Sequence, residues 1–142
     1  MQTFLPYPNI RSSLECLDTK RLGKQRVEAM QLVHAIQNNG TWSRHPAAKM
    51  WKEHIPLLKL YHDMAIIIWL ERGYKNTMKP FYSLILKDLP RIMPVDATTV
   101  PIWWGNNDFH ASHRSNLLRK DPAHYGQFNW AEPNNLPYVW PI

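Results

Sequence analysis

An unbroken helical period runs from Asp18 to Ile36, DTKRLGKQRVEAMQLVHAI, and little but a long helix can be made of it. Asp18 is a suitable N-cap, since a carboxylate oxygen can accept from the free N–H groups of a first turn. Asn38-Asn39-Gly40 supplies the stop, where Asn or Gly takes a left-handed conformation. Leu22, Ala29, Val33 and Ile36 recur at helical spacing as the core face. Arg21, Lys24, Gln25 and Glu28 share another face, so a lone carboxylate stands among cations. That face has two readings. In one it is merely solvated, with a Lys24–Glu28 surface pair; in the other it carries chemistry.

Other helices follow from punctuation. Ser43 or His45 precedes a helix with Pro46 in its first position, where the missing N–H costs nothing. Met50, Trp51 and Ile55 are its apolar contacts. Pro56 opens the next helix, which runs to Arg72 and stops at Gly73. It is apolar nearly all round, the mark of a central buried helix with a scaffolding role. Pro80 to Leu89 predicts a further helix ended by Pro90. Pro94 and Pro101 keep the following stretch extended or looped, up to Ile102-Trp103-Trp104-Gly105. One tryptophan of that pair is expected in the core and the other on the surface. Asn106, Asn107 or Asp108 caps a helix that Pro122 ends. Before all of these, MQTFLPYPN is expected to lie extended against the body through Phe4, Leu5 and Tyr7, because Pro6 and Pro8 disfavour a helix. Ser12 to Cys16 adds a helical turn. The expected fold is all-α: a single compact domain over residues 1–142, with about four to five helices. An irregular tail carrying Phe128, Trp130, Tyr138 and Trp140 completes it.

Charge and aromatic content point to a partner. The chain is basic, +6 overall, and holds seven tryptophans. Phosphates need cations and unstacked bases need flat side chains, so nucleic acid is the expected partner. A single cysteine, Cys16, excludes an internal disulfide and suits a reducing compartment. The run Met64 to Leu70 is too short to span a bilayer. No cationic segment followed by an apolar one opens the chain, so no leader is expected. A cytoplasmic monomer is the expectation.

Between Asn106 and Pro122, His110, His113 and Arg114 lie on one side of the predicted helix, and Lys120 extends that side. Ser112, Asn116 and Arg119 add polar donors beside them, as on phosphate-binding helices. The alternative is an ordinary solvated face. A metal is not expected, since the two histidines lack the His-Glu-x-x-His spacing and no cysteine cluster supports them. No cofactor is expected either. The amino terminus is a chemical group in its own right. As a class, α-amines titrate near about 8, against about 10.4 for lysine, and so supply neutral amine at pH 7.

Three ordered segments carry a resemblance: Leu17-Asp18-Thr19-Lys20-Arg21-Leu22 leading to Glu28; Trp69-Leu70-Glu71-Arg72-Gly73-Tyr74; and His110-Ala111-Ser112-His113-Arg114-Ser115-Asn116-Leu117-Leu118. With these the chain resembles the pyrimidine-dimer DNA glycosylase family, small all-helical enzymes typified by a phage endonuclease for ultraviolet damage, in a bacterial and phage branch. The resemblance implies a DNA N-glycosylase acting on damaged or modified pyrimidines, with abasic-site lyase activity as an associated step. It implies an amino-terminal nucleophile, here Met1, and a catalytic carboxylate, here Glu28. Damaged duplex DNA would then lie across Arg21, Lys24, Gln25, Arg26, His110, His113, Arg114, Asn116 and Lys120. The chain departs from the family pattern where Arg directly precedes the glutamate: Val27 stands there, and Arg26 is rotated by about 100° around the helix. Gln2 is also bulkier than the small second residue of the phage enzyme. The competing expectation is a non-enzymatic binder of nucleic acid or of a small nucleotide on the same scaffold.

Overall fold

The computed structural model describes residues 1–85 and 100–142. Among them the chain is all-α, with no strand. Helix α1, Ile10–Glu15, starts where the Asn9 side chain accepts from the Ser12 N–H at 2.8 Å. The long helix α2 spans Thr19–Asn38. Asp18 sits at its N-cap position but does not cap with its side chain. The carboxylate instead accepts from Arg21 Nη1 at 3.0 Å and from the Tyr125 hydroxyl. The start of α2 is thereby tied to residues far along the chain. At its other end Asn39 is left-handed, φ 50°, and the Gly40 N–H reaches back to Ala35 O at 3.0 Å.

A 3₁₀ turn, Thr41–Arg44, leads into α3, Pro46–Trp51. His45 caps α3, its Nδ1 accepting from the Ala47 N–H at 3.0 Å. Helix α4, Ile55–Glu71, has Pro56 in its first turn and is followed by Gly73 at φ +88°, a conformation that favours glycine. From Leu57 to Ile68 every side chain of α4 except Lys59 is buried, so it is the central helix that the sequence predicts. It packs most extensively on α2. Helix α5, Asn107–Lys120, begins where the Asn106 side chain accepts from Phe109 N–H at 3.1 Å. Asp121 then caps a further short helix, α6, Pro122–Tyr125, so Pro122 both ends one helix and starts another.

The helix expected from Pro80 to Leu89 is not seen in its first part: residues 80–85 are irregular, with bends at Phe81, Tyr82 and Leu84, and residues 86–89 lie outside the described residues. The buried Asp63 carboxylate shapes this stretch. It accepts from Phe81 N–H at 2.8 Å and Tyr82 N–H at 2.7 Å, and lies 2.9 Å from His62 Nδ1.

One continuous core runs from Phe4 and Leu5 through Leu22, Val33, Trp51, Leu58 and Tyr61 to Phe109 and Tyr125. Trp103 belongs to it and meets Trp51 edge to face at 5.2 Å, while Trp104 is half-buried. The tail aromatics Phe128, Trp130, Tyr138 and Trp140 pack on this core from outside. Burial pushes the Cys16 thiol up to about 12, which leaves it a structural, unreactive group. No helix among the described residues is long and apolar enough to cross a membrane.

Candidate active site and nucleic-acid interface

Residues 2–6 run through the interior without regular secondary structure and with no neighbouring strand. Buried backbone N–H and C=O groups need partners, and an orphaned one costs about 1–3 kcal/mol. Side chains from three helices take the place of a strand. Phe4 N–H donates to Gln25 Oε1 at 2.9 Å. The Tyr61 hydroxyl shares its proton between Phe4 O at 2.8 Å and Gln25 Oε1 at 2.6 Å. Leu5 N–H donates to His113 Nδ1 at 2.8 Å, and Leu5 O accepts from His110 Nδ1 at 2.7 Å. Arg114 Nη1 donates to Pro6 O at 2.7 Å. Two histidines one helical turn apart thus bind both backbone groups of Leu5, one as acceptor and one as donor.

These contacts set the state of each ring. His113 accepts at Nδ1, so its proton is on Nε2, a buried nitrogen without a hydrogen-bond partner. Burial, with the neighbouring His110 and Arg114, pushes its pKa down to about 3. His110 carries its proton on Nδ1, accepts from Gly105 N–H at Nε2 (3.0 Å), and is also shifted down, chiefly by burial. Both rings are neutral at pH 7.

The expectation of a solvent-facing polar surface on α5 is therefore corrected. His110, His113, Asn116 and, on α2, Gln25 are at most 2% exposed. None presents a polar atom to an outside phosphate. Asn116 Nδ2 donates to Ser112 O at 2.8 Å and to Leu136 O at 3.0 Å, holding the tail. Ser115 Oγ accepts from Leu136 N–H at 3.0 Å, and Ser112 Oγ from Val139 N–H at 3.2 Å. Arg114 is half-buried and paired with Glu132. One side of α5 grips the amino-terminal segment and the adjoining side grips the carboxy-terminal tail.

Glu28 stands at the outer end of the threaded segment. Its Oε2 accepts from the backbone N–H of Gln2 at 3.2 Å and from Gln25 Nε2 at 3.4 Å. The Lys24–Glu28 pair expected from spacing does not form, because the carboxylate turns to the amino terminus instead. Met1, whose α-amine lies one residue beyond that N–H, is half-buried beside it.

A cationic cluster flanks this point. The Lys120 pKa is lowered, first by burial and then by the charges of Arg21, Arg119 and Lys24, with Glu28 opposing. Tyr138 is pushed up to about 12, mainly by burial, with Glu28 adding and Arg119 and Arg21 opposing. Of the residues predicted from sequence, Met1, Glu28, Arg21, Lys24 and Lys120 thus come together. Arg119 joins them, its Nη2 on Asn116 Oδ1; the sequence marked it only as a polar neighbour. Arg26 does not join them. Its guanidinium lies over the Trp69 ring, 4.2 Å from the centroid, and Nη1 donates to Asn76 Oδ1 at 2.7 Å. It is roughly 200° around α2 from Glu28, on another side of the helix. Gly23 allows this arrangement: a Cβ there would meet the Trp69 ring at 3.2 Å.

His45 and Trp42 were not singled out by sequence reasoning as site residues, whereas Trp140 was named with the tail aromatics. His45 meets the rings of Trp42 and Trp140 edge to face, 5.7 Å from each. Its pKa is lowered by burial and then by the α-amine's positive charge, while Glu28 acts the other way. Trp42 is 48% exposed. The signal available for His45, its position before Pro46, spoke only for a cap. No three His, Cys, Asp or Glu side chains among the described residues gather as a metal site.

Neither a curated protein nor a solved structure matches this chain. The family model described as pyrimidine dimer DNA glycosylase matches residues 1–81, which include the threaded segment, Glu28 and His45. That match covers more than half of the 142 residues, and the chain belongs to the pyrimidine dimer DNA glycosylase family.

Proposed function

We propose that this protein is a DNA N-glycosylase that attacks damaged or modified pyrimidine nucleotides through the α-amine of Met1 and continues to an imine with lyase activity. The observation that carries this reading is the hydrogen bond from Gln2 N–H to Glu28 Oε2, 3.2 Å, which brings a carboxylate to the root of the amino terminus. A surface carboxylate with no such task would face solvent or Lys24.

In this mechanism the neutral amine's lone pair forms a bond to the sugar C1′, and the C1′–N1 bond breaks with its electron pair going to the base. Glu28 accepts the proton lost by the new ammonium. It returns that proton to the ring oxygen as the sugar opens and the C1′=N imine forms. The released base anion takes a proton from water. Arg21, Lys24, Arg119 and Lys120 hold phosphates around the lesion. Exposing C1′ requires unstacking, at a cost of a few kcal/mol per base.

Borohydride reduction on ultraviolet-irradiated or abasic duplex DNA tests this. A covalent adduct located at residue 1 by mass spectrometry is expected, and acetylating the α-amine should abolish it. Salt-sensitive binding with neither adduct nor base release would establish the binder reading, which the apolar Val27 beside Glu28 favours.

A further inference from the structure

A carboxylate that receives a proton and returns it must keep one oxygen on the reacting atoms through both steps. A glutamate on a helix surface rotates freely unless something holds it, and a displacement of about 1 Å can cost about a hundredfold in rate. Glu28 is held, and by one oxygen only. Its Oε2 accepts from Gln2 N–H at 3.2 Å and from Gln25 Nε2 at 3.4 Å. Among the described residues no donor meets its Oε1.

The orientation of Gln25 leaves no choice about which of its atoms faces Glu28. The side chain is 1% exposed. Its Oε1 accepts from Phe4 N–H at 2.9 Å and from the Tyr61 hydroxyl at 2.6 Å. Only the oxygen of an amide can accept from an N–H, so an exchange of Oε1 and Nε2 is excluded and the NH2 end points at Glu28. Gln25 and Glu28 stand one turn apart on α2 and meet amides two residues apart, those of Phe4 and Gln2. A closed circuit results: Gln2 N–H and Gln25 Nε2–H on Glu28 Oε2, Phe4 N–H on Gln25 Oε1, and the backbone from Phe4 to Gln2. One side chain therefore fixes the carboxylate and the amino-terminal segment to each other. Holding Phe4 N–H alone calls only for an acceptor, such as His113 provides for Leu5. The donor turned on Glu28 is left over from that task.

We propose that Gln25 is a positioning residue for the reaction, its Nε2–H holding Glu28 Oε2 so that Oε1 is the oxygen that takes the proton from the new ammonium and returns it to the sugar ring oxygen. The inference rests on the glycosylase reading. Gln25 keeps both of its protons throughout; only Glu28 Oε1 gains and loses one. Tyr61 acts from behind, its hydroxyl fixing Gln25 Oε1.

Gln25→Glu tests this. The variant keeps an acceptor for Phe4 N–H and the Tyr61 hydroxyl but sets a second carboxylate oxygen where the donor stood. Two carboxylates in contact do not both stay ionised, so the pair takes up a proton and Glu28 loses its role as acceptor. Imine formation is measured in single turnover at saturating protein on a preformed abasic duplex, by trapping with cyanoborohydride from pH 7 to pH 5, beside thermal melting. As a class, α-amines titrate above this range, near about 8, so the amine does not distinguish the two proteins within it. Trapping should be about tenfold to a hundredfold slower at pH 7, and the deficit should widen by about a further tenfold by pH 5. A deficit of the same size at every pH would reduce Gln25 to a structural clamp and overturn the proposal, as would a wild-type rate throughout. Tyr61→Phe loosens Gln25 without touching Glu28 and decides the matter if Gln25→Glu does not fold. Its maximal trapping rate should fall by about threefold to tenfold, with the DNA concentration at half-saturation as in the wild type. An unchanged maximal rate would overturn the proposal. Failure of the wild type to trap is a different result, and it overturns the glycosylase reading together with this one.

Discussion

The polar faces of α2 and α5 look alike as strings of residues and end in opposite places. Arg21, Lys24 and Glu28 on α2 stay at the rim, with Lys24 exposed and Glu28 half-buried. His110 and His113 on α5 are buried and bonded to the backbone of Leu5. The difference is one of desolvation. An ion in the interior costs several kcal/mol unless it is paired, whereas a neutral imidazole carries one donor and one acceptor, the complement of one residue's backbone. Histidine can therefore replace a neighbouring strand, and Lys or Glu cannot. The α5 face holds the amino-terminal segment in place, and the α2 face supplies the charges around its exposed end.

The largest expected effect falls on the α2 side. Glu28→Gln keeps size and most hydrogen bonding but removes the charge. Base release in a single turnover should drop by about a hundredfold or more, as for loss of a positioned acid–base group. Folding should be normal and DNA affinity equal or higher, since phosphates are no longer repelled. A wild-type rate in a well-folded Gln variant would remove Glu28 from catalysis and erase the distinction between the two faces.

On the α5 side the expected loss is in stability. His113→Leu leaves the Leu5 N–H without its acceptor and should cost about 1–3 kcal/mol in denaturant unfolding. The salt dependence of DNA binding should be unchanged. A shallower salt slope with wild-type stability would mean that α5 meets phosphate after all.

Acid titration sharpens the same point. The folded pKa of His113, about 3, lies below its ordinary 6.5, so the unfolded chain binds the proton first. The stability contributed by the neutral ring is complete above about pH 6.5 and is lost as pH falls toward 3. One such proton accounts for up to about 1.4 kcal/mol per pH unit. His110, shifted in the same direction by burial, steepens the fall. His113→Asn retains an acceptor near the Nδ1 position without titrating. Its stability should decline less steeply between pH 6 and 4, and an equal slope would show that the His113 ring is not held neutral.

The smallest effect is that of a single rim cation. Lys24→Glu or Lys120→Glu should weaken binding across DNA sequences and reduce the slope of log K against log salt by about one. Unaltered slopes for both variants would take this cluster out of the interface.

Local signals were enough to draw most of the helices. Asn39, Pro46, Pro56, Gly73 and Asn106 mark ends or starts because caps, fixed φ angles and left-handed turns depend on a few adjacent residues. The apolar wrap of residues 57–68 marked the central helix for a similar reason: a periodic pattern is written along the chain. Glu28 and the amino terminus were singled out through family resemblance, and composition gave the basic, aromatic character. What each polar residue does was not legible. His113 meets Leu5 across 108 positions, Glu28 meets Gln2 across 26, and Asp18 meets Tyr125 across 107. Whether a polar helix face is solvated, buried as a clamp or set around a reactive group depends on what packs against it. Packing between segments so far apart is decided by the folded core, because only there do desolvation and hydrogen bonding act on residues that the chain keeps separate.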